Sequence, residues 1–326
     1  LKFLYFTDTH IRATSPKNRL DDFLQTLKNK INEVADISIR ENVDFVLHGG
    51  DLFDRPDTPI ALVADFSKIF RKFKAPIYII SGNHDIFGHN SKTLNRSMLG
   101  LLNSFNVVNL VNDKKIILEK DGIKVQLTGY PYSVGMDNPE NRENYIVKEK
   151  NPNVDYMIHM THGFLIDKPF IRGVSHTLIS EILDTKADIT LAGHYHYGFK
   201  TQKVDDKYFI NPGALIRISN SLTEIKRKPK VNIIELTDKI EIKDIYLKSA
   251  LDGELVLDRS EIERHKFKSF KLDEFKEIIE STTELGNIDV YDILNNIALN
   301  ESIDEKIRKE AIKRIEKQQI QEAEFY

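Results

Sequence analysis

The sequence predicts an α/β fold, and three observations carry that reading. Short β-rich apolar runs alternate with helical patterns over the first two-thirds of the chain. Polar segments containing Gly, Asp and His directly follow several of those runs. Of the 326 residues, 40% are hydrophobic, enough to bury a sizeable core.

Taken in order, strands are predicted at Lys2–Thr7, Asp44–His48, Ile77–Ile80, Val107–Leu110, Lys115–Leu118, Lys124–Gly129, Tyr156–Thr161, Ile189–Ala192, Lys207–Ile210, Val231–Leu236 and Ile240–Leu247. Between the first two, Leu20, Leu24, Leu27, Ile31 and Val34 step by three or four residues, which marks a helix with one apolar stripe. A second helix is predicted from about Pro59 to Phe73, with Pro where the missing N–H costs little. A third is predicted over about Ser91–Phe105. Past residue 250 the pattern turns to helices alone, at Leu272–Ile279, Val290–Ala298 and Ile303–Ile320. Two domains are therefore expected, 1–250 and a smaller, mainly helical 251–326.

Charge separates the same two parts. Residues 251–326 hold 12 Lys/Arg against 19 Asp/Glu, whereas 1–250 hold 35 against 31. That asymmetry suggests different neighbours, although the mild excess in the first part does not by itself demonstrate a polyanion partner. The chain has no Cys, which rules out disulfides, thiolate nucleophiles, iron–sulfur clusters and Cys-type zinc sites. Metal chemistry would have to use His, Asp, Glu and Asn. No apolar run is long enough to span a membrane, and no signal-peptide pattern opens the sequence, so a cytoplasmic location is expected. A G-x-x-x-x-G-K-[ST] phosphate loop is missing, as are RRM, helix-turn-helix and zinc-finger signatures.

Five short segments carry the chemistry: Asp8-Thr-His10, Gly49-Gly50-Asp51-Leu-Phe-Asp54, Gly82-Asn83-His84-Asp85, His162-Gly163 and Gly193-His194-Tyr-His196. In open α/β sheets ligands bind beyond the carboxyl ends of the strands, so residues from distant segments converge there. Each segment alone is weak, since D-x-H triplets and single strand-end histidines are common. In combination they hold five of the ten His residues, in order and at strand ends.

This ordered set resembles the calcineurin-like metallophosphoesterases, whose pattern runs D-x-H, G-D-x-x-[DHN], G-N-H-[DE], H, G-H-x-H. The resemblance covers roughly residues 1–250. Within the superfamily the chain looks most like the SbcD-type double-strand-break-repair nucleases, through "FLYFTDTHI", "VDFVLHGGDLFDRPDTP", "IYIISGNHD", "ADITLAGHYHYG" and "INPGALIR". It implies a four-layer α/β/β/α sandwich of two mixed sheets. It also implies two divalent metal ions bridged by Asp51, with Asp8, His10 and His196 on one and Asn83, His162 and His194 on the other. Manganese is the expected working metal, with iron or zinc possible, because this ligand set admits all three. Two such cations would both stabilise an in-line displacement at phosphorus, and neutral imidazoles leave the pair electropositive. His84 would protonate the leaving oxygen, with Asp85 orienting it or, alternatively, capping the following turn.

One departure concerns Asp54, where some nuclease members carry His. A carboxylate repels phosphate unless paired, so either Arg55 beside it takes part or Asp54 has a supporting role behind the ligands. Arg12, Lys17 and Arg19 follow the first ligands, and Lys226, Arg227, Lys228 and Lys230 form a second cluster; both could contact DNA or be solvated loop charge. His48 and His159 are expected to be core residues, and His89 and His176 could approach substrate.

The resemblance further implies a homodimer through the two helices after the second and third motifs, using Leu62, Phe66, Leu94, Met98 and Leu101. It implies an SMC-type, SbcC-like coiled-coil ATPase partner, gripped by Ile303, Ile307, Ala311 and Ile315, unless that row packs on Val290–Ala298. The leading function is a manganese-dependent phosphodiesterase acting on DNA. A small-molecule metallophosphoesterase and a non-catalytic scaffold are the alternatives, and the ligand set cannot separate the first two.

Overall fold

The first strand, β1 (Lys2–Phe6), shows why two sheets stack. Its side chains alternate: Leu4 and Phe6 join one buried cluster, while Phe3 and Tyr5 join another. A strand buried on both faces needs a layer on each side. The computed structural model of the chain describes residues 1–264, 266–267, 305–307, 309–311 and 313–314. Compactness divides it into two units, Leu1–Asp258 and Arg259–Tyr326.

In the first unit β1 is followed by α1 (Phe23–Arg40), β2 (Phe45–His48), α2 (Ile60–Phe70), β3 (Ile77–Ile79), α3 (Met98–Ser104) and β4 (Asn109–Leu110). Then come β5 (Lys115–Lys120), β6 (Ile123–Tyr130), β7 (Tyr156–Thr161), β8 (Leu165–Ile166), β9 (Thr177–Leu178) and β10 (Ile189–Ala192). The unit closes with β11 (Gln202–Val204), β12 (Lys207–Ile210), α4 (Leu222–Lys226), β13 (Lys230–Leu236), β14 (Ile240–Tyr246) and α5 (Gly253–Val256).

Two six-stranded sheets result, ordered β14-β13-β1-β2-β3-β4 and β11-β12-β10-β7-β6-β5. Both are mixed: β1 to β4 run parallel, β13 pairs antiparallel with both β1 and β14, and β6, β7, β10 and β12 run parallel between antiparallel β5 and β11. Helices α1, α2 and α3 cover the first sheet through Leu27, Ile31, Val63, Phe66 and Leu99. Between the sheets Tyr5, Leu47, Leu127, Ile158 and Leu191 interlock. The outer face of the second sheet is covered by Tyr145, Leu165, Ile179 and Ile182, carried on 3₁₀ turns at Pro139–Tyr145 and Ile179–Glu181 and on the β8–β9 pair. This is the expected α/β class of two mixed sheets with flanking helices.

Local differences have local causes. Helix α1 begins at Phe23 because Asp22 caps it, its carboxylate accepting from the Gln25 N–H at 3.0 Å; Leu20, expected on the buried stripe, is 60% exposed. The third predicted helix is broken in two. Ser97 takes an extended conformation and accepts from the Gly100 N–H, so a 3₁₀ stretch (Ser91–Arg96) ends where α3 begins.

The expected dimer residues also move. Leu62 and Phe66 lie in the chain's own core, Phe66 with no exposed surface, while Ile60 on the same helix is 68% exposed. Leu94, Met98 and Leu101 are half-buried, and the first two pack against that same core.

In the second unit the described residues at 260–264, 305–307 and 309–311 are helical, and Ile307 is exposed. The predicted helices Leu272–Ile279 and Val290–Ala298 lie outside the described residues, as do His265, Ile303 and Ile315.

Candidate metal centre

Five parallel strands from both sheets end at one edge, and each hands the chain to a motif. Phe6 of β1 leads to Asp8 and His10, His48 of β2 to Asp51, Ile79 of β3 to Asn83, Thr161 of β7 to His162, and Ala192 of β10 to His194 and His196. The turns are tight enough to force a left-handed backbone on non-glycine residues. Asp8, His10, Asp51 and His194 have φ of 52°, 45°, 52° and 71°. Such residues cost of order 1–3 kcal/mol each and persist where surrounding bonds over-determine them.

Those bonds are present. The N–H groups of Asp8 and His10 donate to the carbonyls of Gly50 and Asp51 at 3.1 and 3.0 Å, lacing the first two motifs together. Ala214 N–H donates to the His196 carbonyl and Leu215 N–H to that of Thr7, so the Pro-Gly segment props the first and last motifs. Gly82 must be glycine because any Cβ there would overlap the Asp51 carboxylate.

The side chains converge in three overlapping groups, two of which share Asp51: Asp8, His10, Asp51 and His196, and Asp51, His162 and His194, with His10, Asp54 and His84 as the third. Within the first, the Nε2 atoms of His10 and His196 approach to 3.0 Å, and His196 Nε2 lies 3.6 Å from Asp8 Oδ1. Within the second, His162 Nε2 lies 3.2 Å from Asp51 Oδ2. Asp8 is oriented by Thr7 Oγ1 at 2.8 Å and by the His194 N–H. His162 Nδ1–H donates to the Gly49 carbonyl at 2.7 Å, which leaves the Nε2 lone pair facing Asp51.

Charge in this pocket is strongly coupled. Burial alone would raise Asp51, but His162 and His10 outweigh it and hold its carboxyl well below the ordinary range. Asp8 is likewise lowered: burial opposes this, but the bond to His10 and the charges of His162 and His196 prevail. Burial works to lower His162, yet with no cation present the Asp51 carboxylate pushes it up to about 9, a second proton on Nε2 that a bound cation would displace. Burial takes His196 down to about 4. The pocket therefore keeps two buried carboxylates ionised.

The donor set fits divalent cations. Asp51 Oδ2, Asn83 Oδ1 and His162 Nε2 are buried and make no hydrogen bond. All three offer lone pairs, and Asp51 and His162 share one ligand group, so a cation held there would satisfy those two.

The remaining expected residues are placed as follows. His84 stands 4.8 Å from the His10 ring, and its Nδ1–H donates to the Asp54 carbonyl at 2.8 Å. Asp85, expected to orient His84, instead accepts from the N–H groups of Leu52, Phe53 and Gly82, so it fixes the turn; burial raises its carboxyl to about 6. The partner of Asp54 is Arg12, 3.2 Å away, and not Arg55, which pairs with Asp57 on the surface. Arg19 is unavailable to DNA: its guanidinium is clamped on Asp21 with 1% of the side chain exposed, while Lys17 is exposed. In the second basic cluster Arg227 holds Glu224 and two carbonyls, Lys230 holds Asp244, and Lys226 and Lys228 are exposed. His48 is buried as expected but also positional: its Nε2–H donates to Thr9 Oγ1 and its Nδ1 accepts from the Gly50 N–H.

Residues 1–198 match the calcineurin-like phosphoesterase family. The chain belongs to that family. Among curated calcineurin-like relatives, it is 36% identical over 85 residues to the DNA double-strand break repair protein Mre11 of Thermoplasma acidophilum, covering 25% of this chain and 22% of that one. It is 31% identical over 113 residues to Mre11 of Methanococcus maripaludis, covering 30% and 29%. It is 29% identical over 99 residues to the uncharacterized metallophosphoesterase YhaO of Bacillus subtilis, covering 27% and 24%. The matched stretches thus span less than a third of these relatives' own length. Among solved structures, an archaeal phosphodiesterase aligns with 76% of this chain and 100% of its own at 20% identity and TM-score 0.38. TT1561 of Thermus thermophilus aligns with 74% and 98% at 12% identity and TM-score 0.42. Among the described residues of this calcineurin-like chain, no helix is long and apolar enough to cross a membrane.

Proposed function

We propose that the chain is a two-metal phosphodiesterase that cuts DNA, an SbcD-like nuclease subunit working with manganese. The observation that carries the metal part is the pair of ligand groups sharing Asp51. What supports DNA over a small phosphoester is the similarity to curated proteins named for double-strand break repair.

In this reading Asp8, His10, Asp51 and His196 hold one cation, and Asp51, Asn83, His162 and His194 hold the other. Bound there, the pair would supply Lewis acidity toward the phosphate and acidify a water as nucleophile. The chain's own residues do the rest. His162 keeps its Nε2 lone pair inward because the Gly49 carbonyl takes its other proton. His84, held at Nδ1 by the Asp54 carbonyl, presents Nε2 as the proton donor to the leaving oxygen. Arg12 offsets the Asp54 carboxylate, so the phosphate does not meet an unpaired negative charge.

Residues 251–326 serve protein contact in this reading. Their acidity repels phosphate, and exposed Ile307 would belong to a row that grips a coiled-coil ATPase of SMC type. Manganese titration of activity on linear duplex, single-stranded circles and p-nitrophenyl phosphates tests the proposal. Cleavage of DNA at chain concentrations that leave the small esters slow is expected. Rapid turnover of the small esters alone would favour a small-molecule enzyme.

A further inference from the structure

Beside the metal centre lies an open cavity of about 660 Å³, and His194 and His196 form part of its wall. The rest is unusually aromatic. Tyr132, Phe164, Phe170, Tyr195 and Tyr197 all line it, and all five are left half-exposed. They come from four separate segments, so no local sequence pattern explains their meeting.

The rings are held in place. Phe164 packs against Phe170 and Tyr195 at 5.1 Å between centroids, and Tyr195 packs edge-on against Tyr197. Tyr132 lies 5.8 Å from the His194 ring, which joins the aromatic wall to the candidate ligands. Phe170 sits on the loop between β8 and β9. His176 orders that loop, its Nδ1–H donating to the Val174 carbonyl and its Nε2 accepting from the Phe170 N–H. Asp137 accepts from the Phe164 N–H at 3.0 Å and from Thr177 Oγ1 at 2.9 Å, tying the backbone of that ring to β9.

A preorganised aromatic wall next to a phosphoester centre suits a flat ring attached to the phosphate being cut. Bases in a duplex have both faces stacked already, whereas an unpaired base offers a free face. Stacking on protein rings is indifferent to base identity, which agrees with the absence of sequence-reading motifs.

We infer that this cavity seats an unpaired nucleobase adjoining the scissile phosphate, so that the preferred substrate is an unpaired strand or a frayed end. The inference rests on the DNA reading above and adds to it the chemistry that selects the strand.

The test compares an unpaired oligothymidine with the same strand carrying abasic tetrahydrofuran residues around the scissile phosphate. The wild-type chain should cut the base-bearing strand about tenfold faster. Phe170→Leu should bring that ratio close to one, while Phe170→Tyr keeps it. In stopped-flow mixing, a 2-aminopurine strand should lose fluorescence on binding wild-type protein, before it is cut. Equal cutting of the two strands by wild-type protein, or binding without quenching, would overturn the base seat and leave the DNA reading standing. Hydrolysis of methyl p-nitrophenyl phosphate with neither strand cut would overturn both.

Discussion

His10 and His196 are separated by 186 positions, yet their Nε2 atoms stand 3.0 Å apart. Two imidazole nitrogens at that distance must share a proton or a cation, because facing lone pairs repel. Asp8 lies 3.6 Å from one of them and 3.8 Å from the other, so the local charge favours a cation. The first motif and the last thus meet at one point, although β1 and β10 belong to different sheets.

His84 is expected to work without holding metal. Its ring is held at Nδ1 by the Asp54 carbonyl, which turns Nε2 toward substrate. His84→Ala should retain the metal content and DNA affinity of the wild-type chain. Its rate should fall by the ~10²–10⁴-fold characteristic of a lost general acid. Metal analysis alongside initial rates checks this, and a variant short of metal would make His84 a ligand.

Phe66 tests the assignment of α2 to the core. It has no exposed surface and packs with Phe6, Val63 and Ile69 in one cluster. Phe66→Ala should cost about 3–5 kcal/mol in chemical denaturation, whatever the oligomeric state. A variant as stable as wild type, altered only in sedimentation, would return this helix to an interface.

Acid stability should depend on His159. Burial pushes it down to about 4, and its Nδ1 lies 2.9 Å from Thr128 Oγ1. A depressed folded value means that the unfolded chain takes the proton first. The neutral residue's contribution is therefore complete above about pH 6.5 and declines as pH falls toward 4, by up to about 1.4 kcal/mol per pH unit. His48, lowered by burial to about 3, acts in the same direction. His159→Gln should give a shallower fall of denaturation midpoint over that range than wild type; an identical slope would contradict the neutral, buried assignment.

What was legible in the sequence follows from how each feature is encoded. The convergence of Asp8, Asp51, His162 and His194 could be read because each sits a few residues past a strand, and parallel strands bring their ends to one edge. The partners of charged side chains could not. Asp54 lies beside Arg55 in sequence but pairs with Arg12, 42 positions away, and Asp85 bonds to amides more than 30 positions upstream. Arg19 looked like a surface cation until Asp21 and the Arg217 carbonyl enclosed it. Phe66 shows the same limit for apolar residues, since an amphipathic stripe does not reveal whether its cover is the same chain or another. The aromatic wall was invisible because Tyr132, Phe164, Phe170 and Tyr195 share no spacing.

The central claim is that Asp51 serves both ligand groups at once. Metal content per folded chain of Asp51→Ala, after equilibration with manganese and with folding verified by circular dichroism, tests it most directly. A single shared carboxylate predicts that wild-type protein holds two ions and that the variant loses affinity for both. Two ions bound to Asp51→Ala with wild-type affinity would contradict the claim.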